Sequence, residues 1–179
     1  MADIQYNFIN LPSRIEFENG HVISYLYDAD GIKLRTTHII GSDTTVTDYC
    51  GNVIYENGIP VKLLTEAGYV TLADSKYHYF VQDHLGNNRV VVDQSGNVEE
   101  VNHYYPFGGL LSSSVSNAVQ PYKYNGKELD RKNGLDWYDY GARMYDAALG
   151  RWHAVDPMSE KYYSISSYVY GLNTPHNCI

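Results

Sequence analysis

Short runs in which apolar and polar side chains alternate fill the first two thirds of the chain. Alternation with a period of two places successive side chains on opposite faces of a β-strand. The first clear runs, residues 14–17 and 22–27, flank Asn19-Gly20, a dipeptide typical of tight hairpins. Further runs follow at residues 77–82, 89–92 and 98–105. The pattern predicts a series of β-hairpins.

A recurrent turn sequence, Asp-x-x-Gly, separates several of these runs. An Asp at the first position of a type I turn accepts backbone hydrogen bonds, and a Gly at the fourth position adopts the left-handed conformation that lets the strand return. The intervals between the copies are irregular, so they form a degenerate repeat and not a solenoid period. The four copies are Asp28 to Gly31, Asp48 to Gly51, Asp83 to Gly86 and Asp93 to Gly96.

Both alternating faces of the run at residues 77–82 carry large groups. Tyr77, Tyr79 and Val81 share one face, and His78 and Phe80 share the other. A strand with one solvated face would carry polar groups on that face. The pattern therefore predicts a curved antiparallel sheet whose second face is covered or faces an enclosed volume.

The C-terminal third combines a strand pattern with helix signals. Residues 135–145 alternate as in a strand. Asp156-Pro157 is typical of a helix N-cap followed by proline at the first helical position, which predicts a short helix to about Tyr163. Residues 168–172 could form a second short helix. The predicted fold class is mainly β, a curved antiparallel sheet of β-hairpins with one or two short C-terminal helices.

Composition and charge narrow the functional classes. Tyrosine supplies 19 residues, against 4 Phe and 2 Trp, and no apolar run approaches the ~20 residues of a membrane-spanning helix. The net charge is -8, with no basic stripe that could neutralise phosphates, so nucleic-acid binding is disfavoured.

Cys50 and Cys178 have no metal-type spacing and predict no disulfide framework. The N-terminal sequence does not resemble a signal peptide. We expect a soluble protein that is cytoplasmic if expressed alone.

An ordered series of motifs resembles a known family. Tyr25-x-Tyr27-Asp28-x-x-Gly31 matches the tyrosine–aspartate (YD) repeat. Together, the motifs resemble the Rhs-repeat-associated core domain of bacterial Rhs and polymorphic-toxin proteins, densely over residues 77–175 and more loosely over 1–74. The later motifs are Gln82-Asp83-His84-Leu85-Gly86-Asn87, Tyr104-Tyr105-Pro106-Phe107-Gly108, Tyr124-Asn125-Gly126-Lys127-Glu128, Tyr138-Asp139-Tyr140-Gly141-Ala142-Arg143-Met144-Tyr145-Asp146, Leu149-Gly150-Arg151-Trp152 and Asp156-Pro157.

The resemblance implies both a domain organisation and a role. Residues 1–74 correspond to degenerate YD-repeat hairpins and residues 75–179 to the core domain that closes the shell. In the family the shell is a spiral β-sheet that encloses a C-terminal toxin, which self-cleavage releases. The implied partners are the remainder of an Rhs shell or such a toxin, and the implied localisation is secreted or at the cell surface.

The sequence departs from the family at the cleavage signal, which is Pro, four residues and then Asp-Pro-x-Gly. Here Pro175 is followed by four residues, where the sequence ends. Asp156-Pro157 lacks both the following Gly and the upstream Pro, so we interpret it as a helix start. We expect a non-enzymatic structural module with no catalytic, cofactor-binding or metal-binding residues and no cofactor.

Two other functions and one assembly property remain open. The tyrosine-rich strands could bind glycans, although packing within a shell explains them more simply. The chain could instead be the cleaved product of an autoproteolytic Rhs protein. An unpaired edge near residues 14–17 predicts self-association.

Candidate catalytic and metal-binding groups carry weaker signals. Arg143 near Asp139 and Asp146, and Arg151 before Trp152, could clamp a substrate, but ion pairing and ring stacking explain them better. A possible metal site lacks the ligand spacing that structural metals require, and a possible hydrolase triad lacks a nucleophile elbow. The Asp28-Ala29-Asp30-Gly31 sequence resembles the start of a calcium loop but lacks the remaining ligands. The residues concerned are His78, His84, His103, Asp83 and Asp93 as a metal site, and Ser112 to Ser114 with His103 and Asp93 as a hydrolase triad.

Overall fold

A computed structural model describes residues 3–112, 114–116 and 120–177, with Val115 and Ser116 described for their backbone only. The chain divides into two compact units. One unit comprises Met1–Tyr79 and Val92–Asn97, and the other comprises Phe80–Val91 and Val98–Ile179. The boundary expected between residues 74 and 75 stays a prediction.

Strands dominate both units, which confirms the mainly β fold class. Hydrogen-bonded neighbours follow chain order in a larger sheet, β1 to β12, and in a second sheet, β13 to β16. The strands are β1 (Asp3–Tyr6), β2 (Pro12–Glu16), β3 (Val22–Tyr27), β4 (Lys33–Ile40), β5 (Asp43–Cys50), β6 (Val53–Glu56), β7 (Ile59–Thr65), β8 (Gly68–Thr71), β9 (Lys76–Gln82), β10 (Asn88–Asp93), β11 (Val98–Val101), β12 (Val115–Ser116), β13 (Glu128–Asp130), β14 (Trp137–Asp139), β15 (Met144–Asp146) and β16 (Arg151–Trp152).

Strand alternation buries one face of β2 to β4 in the first unit. Ile15 lies opposite Ile23, and Ile23 lies opposite His38; all three are buried. Leu26 and Ile39, which belong to the other face of the same strands, are exposed. The period-two pattern of apolar residues therefore identifies the core face of these strands.

The predicted turn forms at three of the four Asp-x-x-Gly copies. At Asp28 the Oδ1 atom accepts hydrogen bonds from the backbone N–H groups of Asp30 (2.9 Å) and Ile32 (2.8 Å), while Gly31 has φ +84°. The turns at Asp83 and Asp93 accept the equivalent pairs of bonds. The sequence at Asp28 is thus a turn, as predicted, and not a calcium loop.

The turn predicted at the fourth copy does not form, because Asp48 lies inside β5. It is paired there with Tyr55, and its carboxylate binds the Arg35 side chain of β4 at 2.5 Å. Cys50 pairs directly with Val53, so Gly51-Asn52 alone makes a two-residue turn. The cross-strand partners of Asp48 override its local turn preference.

The hairpin predicted at Asn19-Gly20 forms, but its turn is longer than two residues. The N–H of Gly20 donates to the carbonyl of Phe17 (2.9 Å), and the N–H of Phe17 donates to the carbonyl of His21 (3.0 Å). This is the same four-residue turn as in the Asp copies, with Phe17 in the place of Asp.

One further expectation for the sheet is wrong and another is met only in part. The β2 strand at residues 14–17 is not the edge, because β1 pairs with it from Asp3 opposite Glu16 to Tyr6 opposite Pro12. The face of β9 that carries Tyr77, Tyr79 and Val81 is about half exposed, so the described residues do not cover it, and the alternative that it faces an enclosed volume stays a prediction. The unpaired edge expected at residues 14–17 is therefore not formed, and self-association stays a prediction.

Helical structure consists of 3₁₀ turns and is shorter than predicted. The segments expected at residues 156–163 and 168–172 are reduced to Ser159–Lys161 and Gly171–Asn173. Asp156 is not its N-cap, which is Met158; the Asp156 Oδ1 instead accepts the Met158 N–H at 2.8 Å in the preceding turn. In the part of the chain that the structure describes, no helix has the length and apolarity needed to cross a membrane.

Candidate functional site

A cluster of tyrosines forms the core of the second unit. Tyr124, Tyr138 and Tyr145 are almost completely buried, with Leu129 beside them. The second sheet sets the register, because Tyr138 of β14 lies opposite both Leu129 of β13 and Tyr145 of β15. Partly buried side chains pack around this cluster: Tyr104, Leu110, Tyr140, Ala147, Trp152 and Tyr170.

The hydroxyl groups of the three buried tyrosines hold one turn. Tyr124, Tyr145 and Tyr138 donate to the carbonyl oxygens of Pro106 (3.1 Å), Phe107 (2.7 Å) and Gly108 (2.9 Å), respectively. We call these three tyrosines the tyrosine clamp. Phenylalanine would fill the same volume but leave three successive backbone acceptors unpaired, which explains why the core uses tyrosine.

Gly108 completes the clamped turn. It has φ +86°, and a Cβ atom there would lie 2.6 Å from the Tyr124 ring. The turn closes with bonds from the Gly108 N–H to the Tyr105 carbonyl (2.8 Å) and from the Tyr105 N–H to the Gly109 carbonyl (2.7 Å). The Tyr-Tyr-Pro-Phe-Gly motif is therefore the segment that the clamp fixes.

Burial keeps the clustered tyrosines in their neutral form. It raises the pKa of Tyr104, Tyr138, Tyr140 and Tyr145 well above the ordinary tyrosine value. Hydrogen bonding from Tyr170 contributes further to the raised pKa of Tyr140. At neutral pH these hydroxyls are hydrogen-bond donors and not acids.

Asn125 joins two more of the sequence motifs. Its Oδ1 accepts the hydroxyls of Tyr140 (2.5 Å) and Tyr170 (2.8 Å), and its Nδ2 donates to the Leu85 carbonyl at 2.9 Å. Its own N–H donates to the Oδ1 of Asn87 at 2.8 Å. The Asp-His-Leu-Gly-Asn and Tyr-Asn-Gly-Lys segments are thus packed together by one side chain.

A buried ion pair lies in the same unit and was not predicted. The Nζ of Lys123 lies 2.5 Å from the Oε1 of Glu100, and the two side chains are 4% and 1% exposed. Gln120 donates to the same oxygen at 2.9 Å, and Asn102 also donates to it. The partners are separated by 23 residues, so no local spacing signals the pair.

Arg143 forms the kind of contact predicted, with a different partner. Its guanidinium lies 3.1 Å from the Asp156 carboxylate and stacks on Trp152, 4.2 Å from the ring centroid. Asp139 and Asp146 instead accept backbone bonds in their own turns. The pair borders a cavity of about 400 Å³ lined also by Tyr162, Ile165, Val169 and Leu172.

Arg151 makes a different contact from the predicted stacking on Trp152. It binds Asn173. Its Nη1 donates to the Asn173 Oδ1 at 2.8 Å. This bond attaches β16 to the 3₁₀ turn at Gly171–Asn173. The two arginines therefore both anchor backbone segments of the second unit.

The other predicted side chains, as far as the structure describes them, make different contacts from those of a metal site or a catalytic triad. Among the described residues, no group of three or more His, Cys, Asp or Glu is placed to hold a metal ion. His78 instead stacks on Tyr69 and bonds Thr71, and the Oγ of Ser114 bonds the backbone of His103. Cys50 is an exposed free thiol. Ser113 and Cys178 lie outside the described residues.

A groove on the other side of the clamped turn combines an aromatic ring with charges. It has a volume of about 510 Å³ and is lined by the turn, Leu129, Tyr138 and the Arg131–Asp136 ion pair. The N–O distance of that pair is 3.0 Å, and both side chains are more than half exposed. Tyr105, 57% exposed, presents its ring at the groove.

Sequence comparison finds one matching family model and several related proteins. The model of the Teneurin YD-shell family matches residues 63–174. Salivary gland surface protein 1 of Aedes aegypti is 31% identical over 188 residues, covering 91% of this chain and 5% of that protein. Toxin subunit YenC1 of Yersinia entomophaga is 30% identical over 128 residues, covering 62% of this chain and 13% of that protein. The chain thus spans a small part of either relative.

Solved structures share the fold. The Photorhabdus luminescens Tc holotoxin pore matches with a TM-score of 0.81 at 19% identity, over 99% of this chain and 10% of that chain. A crystal structure of TcdB2-TccC3 matches with a TM-score of 0.77 at 18% identity, over 97% of this chain and 10% of that chain. The resemblance drawn from the motifs is confirmed. Since the family model spans more than half of the sequence, from β7 to the 3₁₀ turn at Gly171–Asn173, the chain belongs to the teneurin YD-shell family.

Proposed function

We propose that this chain is a non-enzymatic structural module that helps to close a YD shell. The tyrosine clamp is the observation that carries the proposal. The family motifs at Tyr124 to Glu128 and Tyr138 to Asp146 donate their tyrosine hydroxyls to the carbonyls of the motif at Tyr104 to Gly108. A site that turned over a substrate would leave such groups free for it, whereas a closing module needs a rigid, internally bonded end.

The partners proposed for this module are the remainder of a YD shell and, by analogy with the Rhs family, a C-terminal toxin. The names of its relatives support this class of partner, since two are toxin subunits and one solved complex joins TcdB2 to TccC3. Self-association, the remaining partner expected from the sequence, stays a proposal. We propose a secreted or surface location on the same ground, because another relative is named a surface protein.

The purified protein is expected to remain a single 20.3 kDa species for days at neutral and mildly acidic pH. General acid–base cleavage needs a peptide within hydrogen-bond reach of the attacking groups, and Arg143 already occupies the Asp156 carboxylate. Intact mass spectrometry with protease inhibitors present measures this. A specific break that grows with time and disappears in Asp156→Asn would contradict the proposal. It would favour the alternative in which the chain derives from an autoproteolytic protein.

Glycan binding is the second candidate, favoured by the groove at Tyr105. A flat exposed ring next to a carboxylate and a guanidinium suits a sugar, whose apolar face stacks while its hydroxyls hydrogen-bond. A glycan array should then show dose-dependent binding that Tyr105→Ala abolishes. Tyr163→Ala is the matched control, because that ring is 91% exposed and lies outside the groove. An array without binding, or equal binding by both variants, rejects this candidate.

A further inference from the structure

The buried cluster around Glu100 contains a nucleophile, a proton acceptor and two carboxamides. Glu100 lies in β11, and Asn102 follows it by two residues; Gln120 and Lys123 come from the segment that precedes β13. All four residues are at most 3% exposed. A lysine amine enclosed in this way is separated from bulk water, which is the condition under which lysine becomes an effective nucleophile.

One oxygen atom brings the reacting groups together. Glu100 Oε1 accepts hydrogen bonds from Lys123 Nζ (2.5 Å) and from the side-chain nitrogen of Asn102. Two nitrogens bonded to one oxygen can be no farther apart than two hydrogen-bond lengths, roughly 5 Å. Asn102 Nδ2 also donates to the Asn88 carbonyl at 3.0 Å, which fixes the plane of the carboxamide. Its Oδ1 is buried and has no hydrogen-bond partner in the protein.

We propose that Lys123 and Asn102 form an intramolecular isopeptide bond. Glu100 takes a proton from the lysine ammonium, which converts a buried ion pair into two neutral groups and frees the lone pair of Nζ. The amine then attacks Asn102 Cγ. The new Cγ–Nζ bond forms as the Cγ–Nδ2 bond breaks, and Nδ2 departs with two protons that left Nζ by way of Glu100. The leaving group is ammonium, and Glu100 is again a carboxylate.

The bond would join the end of β11 to the chain just before β13. Residues 103–122, which include the clamped turn, would become a covalently closed loop. Such a link restricts the unfolded chain in the way that a disulfide does, without depending on a redox environment. Gln120 donates to the same Glu100 oxygen but at 2.9 Å, and no bond to a second backbone carbonyl is described for its amide, so Asn102 is the better-oriented acceptor.

The experiment is intact mass spectrometry of the purified full chain, followed by proteolysis and tandem mass spectrometry. The expected result is a chain lighter by one ammonia molecule and a branched peptide that joins Asn102 to Lys123. Lys123→Arg keeps the positive charge but lacks the reactive amine, and Asn102→Ala lacks the acceptor; both should keep the full calculated mass. Glu100→Gln should also prevent the reaction.

The mass and the peptide map of the wild-type chain test the proposal even where a variant fails to fold. An unmodified wild-type mass after days at neutral pH would overturn it. Ammonia loss without a branched peptide would also overturn it, because cyclisation of an asparagine onto its own backbone releases ammonia as well. A branch through Gln120 would reject the assignment to Asn102. None of these outcomes depends on the role of the chain in a shell.

Discussion

Replacing Gly68 with alanine is expected to lower the free energy of unfolding by about 3 kcal/mol or more. The added methyl group would overpack the site, and the backbone there has a conformation that only glycine adopts without strain. Gly68 has φ +154°, and a Cβ atom there would lie 2.0 Å from the backbone carbonyl oxygen of His78. That oxygen belongs to the neighbouring strand, since Gly68 of β8 pairs with Tyr79 of β9. No rotamer change can relieve a clash between a Cβ atom and backbone.

The clash would also disturb the packing beside it. Tyr69 and His78 stack with ring centroids 4.3 Å apart, and both are buried. Moving β9 away from β8 separates these rings and breaks the ladder that joins the strands. Gly68→Ala should therefore reduce the denaturation midpoint through loss of a strand pair and not only through local strain.

Gly58→Ala is the matched control for this substitution. Gly58 has φ +80°, but nothing lies within 4 Å of the added Cβ, so only the left-handed conformation costs energy, about 1 kcal/mol. Urea denaturation followed by circular dichroism compares the two variants. Equal losses would show that β8 and β9 do not approach as closely as the structure places them.

Local turns were predictable because their determinants lie within five residues of each other. Asp28, Asp83 and Asp93 each bond the backbone two and four residues ahead. The turn between β1 and β2 escaped the pattern although it has the same bonds. There Asn7 replaces Asp, and Asn10 takes the left-handed position of Gly with φ +60°. A search that allowed Asn at both positions would have found it, and with it the β1 strand that pairs with β2.

The candidate site was less predictable, because its partners are distant in sequence. The tyrosines of the clamp were recognisable as motif residues, but the carbonyls that they bind lie 18, 30 and 38 residues away. Arg143 shows the same limit. Acidic residues near it in sequence suggested its partners, whereas the fold brings Asp156 to it. Residue type thus predicted the kind of contact, and only the topology selects the partner.

Alkaline pH is expected to unfold the second unit steeply, because two buried and two partly buried tyrosines resist ionisation. Burial raises the pKa of Tyr104, Tyr138, Tyr140 and Tyr145 in the folded state, while the unfolded chain ionises at about pH 10. Below that pH both states are protonated, and the folded state keeps its full stability. Above it the unfolded state releases protons that the folded state retains, so stability falls as pH rises.

The expected size of the effect follows from the number of groups. Each such tyrosine removes about 1.4 kcal/mol per pH unit above pH 10, and four together remove roughly 5 kcal/mol per unit as an upper bound. A domain with a total stability of about 5–15 kcal/mol should then unfold within roughly one to three pH units above 10. Tyrosinate absorbance and far-ultraviolet circular dichroism, measured on the same samples, should change together.

Tyr145→Phe separates this mechanism from general alkaline damage. The variant loses the hydroxyl that bonds the Phe107 carbonyl at 2.7 Å, which should cost about 1 kcal/mol at neutral pH by leaving a partly buried acceptor unpaired. It also removes one buried ionisable group, so its stability should fall less steeply above pH 10 than that of the wild type. Tyr163→Phe, at a ring that is 91% exposed, should change neither property. Tyrosinate absorbance that rises fully while the circular dichroism stays native would show that these hydroxyls ionise within the fold, and that the clamp does not depend on their protons.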